Sequence, residues 1–140
     1  MKTYLSTAVI LLFFLQTLPA LSQHPVLGKW HSKGENGEGI IEIFITEEGI
    51  LHGRLLDALD EEKNRILAER MAEAGATEFL ILEHLEQEKE NVWRDGTIYS
   101  YERDSRYSCK LEFLNDDQVK ITAYFLGIFS KSFIWNRWKQ

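Results

Sequence analysis

Four histidines, one cysteine and a scatter of serines and carboxylates are the residues of this chain with reactive chemistry to offer. A metal site needs several imidazoles, thiolates or carboxylates at one point, and its local signature is a pair at i, i+2 on a strand or i, i+4 on a helix. His24, His31, His52 and His84 show neither spacing, and His24 falls in a terminus expected to fray. The acidic runs Glu47-Glu48, Asp60-Glu61-Glu62 and Asp116-Asp117 lack the alternating ligands and central glycine of a calcium loop, so they read as turn and capping residues. No Gly-x-Ser-x-Gly elbow and no phosphate-cradling glycine loop occurs. Ser108, Ser130 and Ser132 alternate onto the outward faces of strands. Cys109 has no second cysteine to pair with and shares a face with Tyr107 and Leu111, which makes it a buried, unreactive thiol. The expectation is a protein that is not an enzyme and carries no metal or cofactor.

What remains is the chemistry of burial. Phe79, Trp93, Tyr99, Tyr107, Phe125, Phe133 and Trp135 fall mostly on one face of their segments, and they are the candidates for lining a cavity. Their spacing demands strands: Tyr107, Cys109, Leu111 and Phe113 point one way while Ser108, Lys110 and Glu112 point the other. Strands are expected at Leu27–His31, Ile40–Thr46, Ile50–Asp57, Glu78–Leu85, Trp93–Tyr101, Tyr107–Leu114, Gln118–Leu126 and Phe129–Trp138, with Glu86–Asn91 as an acidic loop. The pattern breaks once. From Asp60 to Ala74 the composition turns to Glu, Lys, Arg, Leu, Ala and Met between an aspartate N-cap and the C-cap Gly75. Ile66, Leu67 and Met71 form its apolar stripe, which makes this helix either a lid over the cavity or a fixed plug. The fold class predicted is all-β: an antiparallel up-and-down barrel of about eight strands, because closure removes the exposed edges a long open meander would leave.

The first residues stand apart. Lys2, the apolar run Ala8–Leu15 and the small pair Ala20 and Ser22 make a secretory leader, so residues 1–22 are expected to be removed and 23–140 to form one domain in the periplasm or outside the cell. The apolar run is too short for a spanning helix of ~20 residues, so no membrane anchor is expected. The formal charge is −6, and no basic stripe interrupts it. Nucleic acid and binding driven by an anionic membrane surface both need clustered Lys and Arg, so both are set aside.

Gly28-Lys29-Trp30 together with a late Arg137 resembles the calycin or lipocalin signature. The resemblance implies that Gly28, Trp30 and Arg137 close one barrel end, with the guanidinium packed over the indole. Trp93-Arg94-Asp95-Gly96-Thr97-Ile98-Tyr99, Tyr107-Ser108-Cys109-Lys110-Leu111, Tyr124 and Trp135-Asn136-Arg137 follow in order the pattern of domain of unknown function family 2147, small exported bacterial proteins. Segment 64–75 is more helical than that family's proline-bearing loop. The function expected is an exported binding protein for a small apolar or amphipathic molecule. The alternative is an inhibitor-like envelope or host-interaction module that binds protein through its rim and holds no small ligand.

Overall fold

The computed structural model describes residues 23–34 and 37–139; the expected leader, residues 1–22, lies outside them. Its eight strands are β1 (Gly28–Gly34), β2 (Gly37–Ile45), β3 (Ile50–Asp57), β4 (Leu80–Lys89), β5 (Val92–Ser100), β6 (Ser105–Asn115), β7 (Gln118–Phe125) and β8 (Phe129–Arg137). One helix, α1 (Glu61–Ala74), lies between β3 and β4. Each strand pairs antiparallel with the next, and β1 returns to β8 through Trp30 opposite Arg137 and His31 opposite Asn136. The barrel is therefore closed and up-and-down, as the alternation predicts.

The expected acidic loop at Glu86–Asn91 is instead the end of β4. Lys89 pairs with Val92, and the chain reverses across Glu90 and Asn91 because Asn91 holds a left-handed φ of 68°. The exposed carboxylates of this stretch point outward, where Glu88 meets Arg94 at 3.0 Å. A bulge between Trp93 and Gly96 bends β5, and here a glycine is required, since a Cβ at position 96 would collide with the Glu83 carbonyl and the Leu85 side chain. The helix begins and ends as its caps dictate. Asp60 accepts from the Lys63 N–H at 2.9 Å, and Gly75, at φ 66°, turns the chain out of the helix.

At the end where β1 starts and β8 finishes, the interior is solid. Trp30, Ile43, Leu51, Leu85, Trp93, Leu111 and Val119 are almost wholly buried there. Residues ahead of β1 cross this end and seal it, which corrects the expectation of a frayed terminus. His24 stands edge-on to Trp93 and Phe113, with centroids 4.9 and 5.1 Å away. Its Nδ1 accepts from the Val26 N–H at 2.9 Å, so its Nε2–H donates to Asn91 Oδ1, also at 2.9 Å. Val26 is fully buried, and its carbonyl accepts from Trp30 Nε1. The Arg137 guanidinium lies 3.9 Å from the Trp30 ring centroid and donates to the carbonyls of Pro25, Leu27 and Asp116.

Candidate functional site

The opposite end is open. A cavity of about 100 Å³ lies between the upper core and α1. Ile41, Leu55, Ile98, Phe133 and Trp135 form its walls, and Ala58 with Leu67 forms its roof. Gly39 also lines it and lets β3 pack closely: a Cβ there would come within 3.1 Å of Leu55 Cδ1 and 3.2 Å of the Asp57 carbonyl. The rim is polar, carrying Ser32, Lys33, Glu38, Lys63, Tyr99 and Tyr101. An apolar floor with a few hydrogen-bonding and cationic groups at the mouth suits a small amphipathic molecule. Since ligand sites usually measure ~300–1,000 Å³, the cavity takes a ring or a short alkyl segment unless its roof moves.

The roof is lightly attached. Leu67 is the buried side chain of α1, while Ile66 and Met71 are half-buried and do not line the cavity. The other ties are polar. Arg70 hydrogen-bonds the Tyr99 hydroxyl and pairs with Asp104 at 2.9 Å, and Tyr99 donates to the same carboxylate at 2.7 Å. Lys63 and Arg70 both lie over the Tyr101 ring, at 5.0 and 5.9 Å. Burial, and then the hydrogen bond to Asp104, push the Tyr99 hydroxyl up to about 12, so it stays a neutral donor at any physiological pH. Asn64 completes the attachment by accepting from the Ala58 N–H at 3.1 Å and donating to Asp57 at 3.3 Å.

Of the aromatics read as cavity candidates, Tyr99, Phe133 and Trp135 lie on this cavity. The others do not. Trp93 is the second residue of β5 and therefore fills the sealed end beneath His24. Tyr107 and Phe125 pack on each other at 4.6 Å against the core, and Phe79 stands edge-on to Tyr99 at 4.9 Å. Alternation tells which side of a strand a residue faces, but its height along the barrel comes from strand direction and stagger. For the same reason Ile41, Leu55, Ala58 and Ile98 were not singled out from the sequence. Gly39, a glycine within β2 just ahead of the apolar run from Ile40, was the one local hint of a close approach at this end.

Each histidine has a structural partner. His31 meets Glu38 at 2.6 Å, and His84 donates its backbone N–H to His52 Nδ1 at 3.2 Å, the two rings 5.1 Å apart. Among the described residues no three His, Cys, Asp or Glu side chains converge as a metal site would require, and no helix is long and apolar enough to cross a membrane. Cys109 faces inward at 2% exposure, and burial pushes its thiol up to about 12.

The family described as "Uncharacterized protein conserved in bacteria (DUF2147)" matches residues 28–137. Among solved structures, the chain is similar to protein HP1028 from the human pathogen Helicobacter pylori, described as belonging to the lipocalin family. The TM-score is 0.63 at 14% identity, over 81% of this chain and 83% of that one, a likeness of fold. No curated protein matches the sequence significantly.

Proposed function

The chain belongs to the DUF2147 family, and from its barrel we propose an exported binding protein that holds a small apolar or amphipathic molecule under α1. The observation that carries this reading is the apolar cavity with a polar rim, roofed by a helix that buries one side chain. The apolar part of the ligand would lie against Ile41, Leu55, Phe133 and Trp135, and its polar end would meet Lys33, Lys63 or the tyrosine hydroxyls at the mouth. Burial supplies the affinity, and the rim fixes the orientation. The absence of a catalytic motif in the sequence supports carriage rather than turnover.

Titration of delipidated protein with a panel of fatty acids and other amphiphiles tests this directly. Indole emission should shift saturably, since Trp135 walls the cavity, and Ala58→Leu, which fills the roof, should abolish the response while the protein stays folded. No emission change across the panel, or unchanged binding by Ala58→Leu, removes the reading. The protein-binding module would then take its place, because the sealed end is already as filled as an ordinary core.

A further inference from the structure

The turn between β7 and β8, Leu126-Gly127-Ile128, projects from the open end of the barrel. Leu126 is 92% exposed, Ile128 84% and the adjoining Phe129 62%. Its backbone makes this more telling. Leu126 and Gly127 hold left-handed φ values of 54° and 74°, where Asn-Gly would sit without strain or apolar exposure. Leucine at that position bears backbone strain while its side chain stands in water. The same combination recurs at the same end in Leu59, exposed and at φ 51° between β3 and α1.

Directly behind the tip lie cations. The Arg103 guanidinium sits 5.5 Å from the Phe125 ring and Lys131 Nζ 5.5 Å from the Phe133 ring. Apolar side chains outermost, followed by cations lying along aromatic faces, reproduce the order of a bilayer interface met from outside in reverse: acyl region at the tip, phosphates behind it. A protein partner fits less well, since three side chains on a convex turn fall far short of the roughly 800 Å² per partner of a standard interface. Fluid hydrocarbon needs no matching surface.

We propose that the β7–β8 tip docks this protein on a phospholipid bilayer, with Leu126, Ile128 and Phe129 entering the acyl region and Arg103 and Lys131 at phosphate level. Insertion of apolar side chains drives it, so the acidic balance of the whole chain is no obstacle. Docking would bring the cavity mouth to the membrane surface, yet the proposal rests on the tip alone and stands whatever the cavity holds.

Flotation of the processed chain with vesicles of phosphatidylethanolamine and phosphatidylglycerol tests it beside a Leu126→Asn/Ile128→Thr variant. The parent should float with the vesicles and the variant should partition at least about tenfold less, because the two lost side chains together are worth a decade or more of transfer even when only partly inserted. The variant's thermal midpoint should be unchanged or higher, since asparagine relieves the left-handed strain, and that separates lost docking from unfolding. A probe chain carrying Ile128→Trp should show a blue-shifted emission on adding vesicles and quenching by brominated acyl chains. A parent that stays in solution, a variant that floats equally, or a probe indifferent to vesicles overturns the proposal. So does a dimer in sedimentation that the double variant dissolves while vesicles leave the parent unbound, which would give the tip to a second copy of the chain.

Discussion

Arg137 shows how one side chain can close a barrel. Its ring contact with Trp30 is worth ~0.5–2 kcal/mol, but the guanidinium also donates to three carbonyls, those of Pro25 and Leu27 ahead of β1 and of Asp116 in the β6–β7 turn. Arg137→Ala should therefore cost about 2–4 kcal/mol in a denaturant titration, and Arg137→Lys should recover part of it, since a point charge cannot replace the planar fork. Trp30→Ala, which also empties the fully buried base of the core, should cost about 3–5 kcal/mol. Negligible effects of both would contradict the clamp. Cys109 makes a kinetic prediction: labelling by a thiol reagent should be slow in the native protein and fast once it unfolds. His52 makes one about pH. Partial burial, and then neighbouring His84, hold its pKa below the usual imidazole value of 6.5, against the opposing Glu83 and Glu78. The unfolded chain thus takes the proton more readily, so this contribution to stability is complete above about pH 6.5 and is lost as pH falls through the folded value. Unfolding midpoints measured at pH 7.5 and pH 5 should drop less in His52→Asn than in the parent; an equal drop would show the pair to be irrelevant. Cys109 and the Trp30–Arg137 pair were legible in the sequence, one from alternation and the other from resemblance. His24 was not, because nothing in the sequence of residues 23–27 reveals that they fold back over a barrel end.

At the scale of elements, α1 was legible almost to the residue, because caps and a composition switch are local signals. Its attachment was not. Arg70 meets Tyr99 and Asp104 across more than twenty positions of chain, a pairing that only the closed sheet brings about. The strands tell the same story: their existence followed from period two, while the height of Trp93 at the sealed end and of Phe133 at the open one required the register. The attachment also decides how α1 behaves. Exposed ion pairs contribute ~0–1 kcal/mol each, so a helix held by Leu67 and such contacts should open well below the cost of global unfolding. Amides of residues 61–74 should exchange faster than those around Cys109, and Arg70→Met should speed them further without shifting the barrel's unfolding midpoint. Uniform exchange across α1 and the strands would make the helix a fixed plug.

Taken whole, the molecule divides its labour between its two ends. Indoles, aliphatic side chains and the lead-in fill one end, so stability resides there; the other end carries the cavity, the helix and the exposed tip. The chain's topology allows this division. In an up-and-down barrel every second connection falls at the same end, so the open end gathers the described connections after β3, β5 and β7, which can vary without touching the packed base. Sequence shows that asymmetry only as a helix inserted at one connection and an apolar run, Leu126–Phe129, at another. If the ends are separable, replacing residues 60–75 with a short Gly-Ser connection should leave a cooperatively folding barrel. Its stability should fall by no more than about 3 kcal/mol, the upper value for exposing one buried leucine. The cavity would then be unroofed, and a bound amphiphile should be released faster than from the parent, while vesicle flotation through the β7–β8 tip should persist. Collapse of the shortened chain into aggregates would instead mean that α1 completes the core, and the lid would have to be abandoned for a structural cap.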